Sequence, residues 1–140
     1  MKLLLLPLFL SSLIASAQPD VIGKWKTIDE SGKQTSIIEI FERKGKVFGK
    51  ILEIFPGPND QKDPVCKKCD KDDPRYGKKV IGMEIILGLE KNDDEYTGGT
   101  ILDPKNGKVY DCKMWIDGSD LKVRGYLGPF FRTQTWKKVR

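Results

Sequence analysis

Asn106-Gly107-Lys108-Val109-Tyr110-Asp111-Cys112-Lys113-Met114-Trp115-Ile116-Asp117 is the stretch whose reading decides the fold. From Lys108 onward, Tyr110, Cys112, Met114 and Ile116 fall on one side of an extended chain. Asp111, Lys113 and Asp117 fall on the other, with Trp115 the exception. Successive side chains of a strand point to opposite faces, so this alternation describes a strand with one face in water. Asn106 and Gly107 both tolerate the positive φ of a two-residue type I′ turn, which makes the stretch the second arm of a hairpin.

The same grammar continues in both directions. Downstream, Asp117-Gly118-Ser119-Asp120 turns the chain into Leu121–Leu127, where Leu121, Val123 and Leu127 oppose Lys122 and Arg124. Residues 132–139 close the chain. Upstream lie 96–102, 80–91, 46–55, 34–43 and 23–28, separated by Gly-rich, Asp-rich or Asn-containing turns. The run 80–91 suits a strand or a short helix, although Gly82 and Gly88 weaken the helix. About eight short strands at hairpin spacing, each with one apolar face, predict an all-β fold, a single antiparallel up-and-down β-barrel. Closure is favoured because it removes exposed sheet edges. A two-sheet sandwich is the alternative this pattern leaves open.

Residues 56–79 interrupt the strands. They carry Pro56, Pro58, Pro64 and Pro74, five aspartates and Cys66-Lys67-Lys68-Cys69. A loop this long in a compact domain tends to be functional or mobile, which makes it a candidate lid or binding loop.

At the amino terminus, Met1-Lys2 precedes an apolar run from Leu3 to Ile14 and the small-residue triplet Ala15-Ser16-Ala17. These are the parts of a secretory signal peptide, predicted to be cleaved after Ala17. The run is short of the roughly 20 residues a membrane span needs. The expectation is therefore a leader over 1–17, a single domain over 18–140, and an exported protein, periplasmic or secreted. The formal net charge is +5, with both signs interleaved. Such patterning describes a solvated surface, and nucleic acid is not an expected partner.

The chemistry available is limited. There is no histidine, which removes the usual general base and most catalytic triads. Asp103, Asp111 and Asp117 sit at or near turns and need no further role. The acidic loop lacks the ordered spacing of a calcium site. Cys66 and Cys69 read as a local disulfide pinning the long loop in an oxidising compartment. A redox pair is the alternative, although no βαβ pattern surrounds it. Zinc would need an Asp or Glu as fourth ligand beside the three cysteines, so no metal is expected. Cys112, on the apolar side of its strand, reads as a small buried hydrophobe. No catalytic residue and no cofactor are predicted.

Several ordered blocks resemble a known family. They are Gly23-Lys24-Trp25-Lys26-Thr27, Gly45-Lys46-Val47-Phe48-Gly49-Lys50-Ile51, and Cys66-Lys67-Lys68-Cys69 before Ile81-Gly82-Met83. Ser31-Gly32-Lys33, Gly98-Gly99-Thr100-Ile101-Leu102-Asp103-Pro104 with Asn106-Gly107-Lys108-Val109-Tyr110, Leu121-Lys122-Val123-Arg124-Gly125-Tyr126-Leu127-Gly128 and Arg132-Thr133-Gln134-Thr135-Trp136 complete the set. The chain is similar to domain-of-unknown-function family 2147, exported bacterial proteins. The resemblance implies a lipocalin/calycin-like barrel and carries no established activity. Gly23-x-Trp25 also looks like the lipocalin signature, in which the Trp plugs one end under a basic side chain from a late strand. Arg124 and Arg132 are the candidates for that stacking partner.

Three functions compete. The first is a binding module for a small apolar or amphipathic ligand, lined by Trp25, Phe41, Phe48, Tyr110, Met114 and Tyr126. It carries an expected cavity of roughly 300 Å³ or more above Trp25. The second is a solid-core interaction protein of the cell envelope, acting through its loops or the Gly128-Pro129-Phe130-Phe131 turn. The third is a redox accessory acting through Cys66 and Cys69.

Overall fold

The computed structural model describes residues 2–13 and 20–140. Ala15-Ser16-Ala17 lies outside the described residues. The apolar side chains from Leu3 to Leu13 are exposed and carry no regular structure. Among the described residues no helix is long and apolar enough to cross a membrane.

Eight antiparallel strands follow one another around a closed barrel. They are β1 (Gly23–Ile28), β2 (Gln34–Arg43), β3 (Lys46–Ile54), β4 (Glu84–Asn92), β5 (Glu95–Asp103), β6 (Lys108–Asp117), β7 (Asp120–Leu127) and β8 (Phe130–Lys138). The expected meander is therefore present. Lys44-Gly45 makes the two-residue β2–β3 turn with positive φ at both residues, as a type I′ hairpin requires. Asn106-Gly107 does not: Asp103 pairs with Lys108 across residues 104–107, and only Gly107 has positive φ. Pro104 enters the turn, and the Gly107 N–H closes onto the Asp103 carbonyl at 2.8 Å. The last hairpin is tighter than expected. Gly128-Pro129 alone reverses the chain, so β8 begins at Phe130 opposite Leu127.

One end of the barrel carries the start of β1, the end of β8 and the turns at 44–45, 93–94 and 118–119. It is packed shut. Trp25 and Trp136 are each 2% exposed there, in one cluster with Ile38, Ile40, Leu89, Met114 and Leu121. The Trp25 indole N–H donates to the Val21 carbonyl at 2.9 Å, which ties the segment before β1 under the barrel floor.

The long loop does not cover the other end as a lid. It is stapled by the Cys66–Cys69 disulfide and lies against the β5–β6 turn. Cys66 Sγ approaches the Pro104 carbonyl at 3.8 Å, and the Lys68 backbone occupies the space a side chain at position 107 would need. This is why Leu102, on the outer face opposite Val109, is 1% exposed. Arg75 secures the loop further: it grips Asp73 with two nitrogens and donates to the Glu84 carbonyl at 3.1 Å. The Arg75 guanidinium holds the Asp73 carboxyl below the usual carboxylate range. Residues 80–83, expected to begin β4, instead finish the loop, because the Val80 N–H bonds back to Pro64.

Two measurements check this packing. Gly99 lies against the backbone of Leu87–Leu89, where Gly88 adopts a positive φ and leaves no room for a Cβ. Gly99→Ala should therefore destabilise the fold by about 1–3 kcal/mol in urea denaturation. Cys112 is buried, and burial pushes its thiol up to about 12. A thiol reagent at pH 8 should find no reactive cysteine in the native chain and one after unfolding, the disulfide remaining intact. Because the unfolded thiol ionises near 8.5 and the folded one does not, stability should fall between about pH 9 and 12. Cys112→Ala should lessen that fall.

Candidate functional site at the open end of the barrel

Strand β8 locates the site. Phe130, Arg132, Gln134 and Trp136 alternate on its inner face, as the pairing of Trp136 with Leu121 and Gln134 with Val123 fixes. Trp136 is buried, whereas Gln134, Arg132 and Phe130 are exposed. Leu127, on the same face as buried Val123, is 49% exposed. Inner-face side chains in contact with water mean that the barrel interior opens towards this end.

The cause is a difference in strand length. β1 pairs with β8 only at Trp25–Lys138 and Lys26–Lys137. β1 then ends at Ile28, while β8 continues away from the floor to Phe130 with β7 as its partner. Across the gap, Thr27 gathers a hydroxyl cluster: its Oγ lies 2.5 Å from Ser36 Oγ and 2.7 Å from Thr35 Oγ. Gln134 accepts a 2.9 Å bond from the Trp136 indole N–H, which links the polar layer to the floor. Tyr110 and Ile101 are half-buried on the inner walls, with Gly125 opposite them. A side chain at 125 would press on Tyr110 at 3.3 Å and Ile101 at 3.7 Å, so the glycine leaves this level open. Arg132 reaches over the rim to Glu30 at 2.6 Å. Both are largely exposed, so solvent screens the pair and it contributes little to stability.

The predicted lining residues separate into three groups. Trp25 and Met114 are floor. Tyr110 faces inward near the open end, its hydroxyl accepting from Asn106 Nδ2 at 3.0 Å. Phe41, Phe48 and Tyr126 are on the outer face, which corrects their assignment as lining. The two-residue turn at Lys44-Gly45 pairs Phe41 with Phe48 on the face opposite Ile40 and Gly49. The rings stack outside the barrel at 5.9 Å under the Arg43 guanidinium. Tyr126 packs against Phe131 at 6.0 Å, also outside.

The stacking assignment on Trp25 is corrected too. Lys138, two residues beyond Trp136, lies over the Trp25 ring at 4.6 Å, and its ammonium donates to the Ile22 carbonyl. Arg124 is an outer-face residue between the Trp115 ring at 4.9 Å and the Phe131 ring at 4.6 Å. That cover explains why Trp115 breaks the alternation of β6. Two recesses, of about 620 and 480 Å³, are open depressions away from Trp25. The larger lies between the long loop and β4, lined by Arg75, Lys78, Ile81, Met83 and Leu87. The smaller is at the open end, beside Glu30 and Arg132. Neither is the expected cavity above Trp25, where buried side chains fill the floor.

Sequence reasoning missed Gln134, Thr27 and Ser36; it named Phe130 in an interaction turn and put Leu127 on the apolar face of its strand, without bringing either to the mouth of the barrel. Parity counted back from Trp136 would have put Gln134 and Phe130 on the inner face, but not their exposure. Chemically the open end offers hydroxyl, amide and guanidinium groups above an apolar floor. Among the described residues there is no group of three side chains able to hold a metal. Cys66 and Cys69 are buried as well as bonded, which shields the sulfurs from an exchanging thiol.

No curated protein sequence matches the chain. Among solved structures, protein HP1028 from the human pathogen Helicobacter pylori, described as belonging to the lipocalin family, aligns with a TM-score of 0.71 at 21% identity. The alignment covers 88% of this chain and 85% of that one, and it establishes a shared fold. Residues 23–138 match the model of a family described as an uncharacterized protein conserved in bacteria, DUF2147. The whole barrel lies within that match: the chain belongs to this bacterial family and has a lipocalin-like fold.

Proposed function

We propose that this protein is an exported binding module that takes a small amphipathic ligand into the open end of its barrel. The observation that carries the reading is the exposure of inner-face Gln134, Arg132 and Phe130 above a floor closed by Trp25 and Trp136. A barrel of about eight strands has room for one small ligand when side chains leave part of its interior open. The apolar part of the ligand would rest against Ile101, Tyr110 and Leu127, the accessible inner-face side chains. Its polar group would meet Gln134 and the Thr27–Ser36 hydroxyls. The lipocalin-like fold is consistent with this use, and a packed floor with an open mouth favours a short ligand over one threaded deep into the barrel.

A dansyl-labelled medium-chain fatty acid tests the site. Its binding should change tryptophan emission, because the Trp136 indole is bonded to Gln134. Gly125→Leu, which fills the level between Tyr110 and Ile101, should weaken binding at least tenfold. Phe130→Glu, at a position 77% exposed on the inner face and making no contact with the floor, should also weaken it by placing a charge at the mouth. Unchanged affinity in both variants would place binding elsewhere.

Export rests on the charged, apolar and small-residue segments of the leader. Protein recovered from the periplasm or medium should begin at Gln18 by mass spectrometry, and an intact Met1 would refute processing.

A further inference from the structure

The β7–β8 hairpin carries a second feature, independent of whether the mouth holds a ligand. Between Arg124 and Arg132 the chain reads Gly125-Tyr126-Leu127-Gly128-Pro129-Phe130-Phe131, with no charge. Phe130 is 77% exposed, Phe131 61% and Leu127 49%. A two-residue turn with Gly128 at positive φ and a proline beside it presents them on a stiff tip. The apolar side chains surround that tip: Leu127 and Phe130 are on the inner face, Tyr126 and Phe131 on the outer.

Charge selects the partner. The two arginines bracket the apolar segment on adjacent rungs, where Arg124 pairs with Thr133 and Gly125 with Arg132. Arg124 sits on the outer face and Arg132 on the inner. From Leu121 to Arg140 the chain has no acidic residue, while Lys122, Arg124, Arg132, Lys137, Lys138 and Arg140 are basic. At about 3.3 Å per residue the tip extends roughly 10 Å beyond the arginine rung. That matches the ~5–10 Å to which interfacial apolar segments enter a bilayer.

We propose that this hairpin docks the protein on an anionic lipid surface. Phe130, Phe131 and Leu127 enter the headgroup–acyl boundary, and Arg124 and Arg132 sit at the phosphates. A second copy paired along the β8 edge fits less well. Edge pairing would satisfy backbone groups but leave both apolar faces of the tip in water. Docked in this way, the open end of the barrel faces the membrane.

The test uses the full chain carrying Phe130→Cys labelled with an environment-sensitive nitrobenzoxadiazole dye; Cys112 is buried and the other cysteines are bonded. A label at Lys44→Cys, in a turn at the opposite end, reports any binding through the apolar amino-terminal segment. Vesicles of phosphatidylglycerol should shift the position-130 emission to the blue, and phosphatidylcholine vesicles should not; the position-44 label should remain in water with both. A basic residue near an anionic surface contributes about 1 kcal/mol, so Arg124→Gln and Arg132→Gln should each weaken partitioning roughly fivefold. Glu30→Gln, which removes the carboxylate paired with Arg132, should strengthen it. Absence of a shift at position 130 overturns the proposal. So does a shift that appears without vesicles as protein concentration rises, together with a dimer on size exclusion, which would assign the tip to self-association.

Discussion

The β1–β8 seam, hydrogen-bonded over only two rungs, is the constraint on which the architecture turns. A barrel has no free edge where its first and last strands meet, and a gap wherever one outruns the other. Here β1 stops after six residues while β8 runs for nine. The rungs that do form lie at the floor, where the Trp25 indole N–H donates to Val21 and Lys138 lies over the ring. One end is thereby sealed by packing. The other is left open by a shortage of strand.

This asymmetry divides the molecule into a packed end and an open one. The floor contains the largest buried side chains, including both buried tryptophans. On the outer wall the Cys66–Cys69 loop extends the same buried cluster beyond the sheet, bringing Val80 and Met83 into contact with the core. A loop clamped by a disulfide and by Arg75 stiffens β4 and β5 without obstructing the mouth. The packed floor and wall support the β7–β8 hairpin, whose tip has side chains exposed on both faces. Exposed side chains on an element held by a packed scaffold can meet a partner at little cost to the fold.

Much of the fold was legible because its signals are local. The alternation of β6 and β7, the Lys44-Gly45 turn and the Asp117–Asp120 turn each depend on neighbouring residues, and each sits where it was expected. The inward set was legible only in part. Phe41 and Phe48 are as apolar as Ile40 and Val47. What assigns them to the outside is the register of the β2–β3 hairpin, and the guanidinium of Arg43 makes that position tolerable. Trp115 was an exception in its strand for the same reason, since Arg124 from the next strand covers it. Sequence alternation identifies two faces but does not say which apolar residues a distant cation will shelter.

Residue order determined, then, the number of strands, their sequence in the sheet and the local disulfide, because each follows from short-range backbone geometry or spacing. Only the tertiary structure decided which end is shut. That outcome depends on how far two strands more than a hundred residues apart overlap, a relation no local pattern encodes. It also decided that the long loop is a clamp on the outer wall, and that Lys138 is the cation over Trp25. Both are contacts between remote segments, chosen by the closure of the barrel.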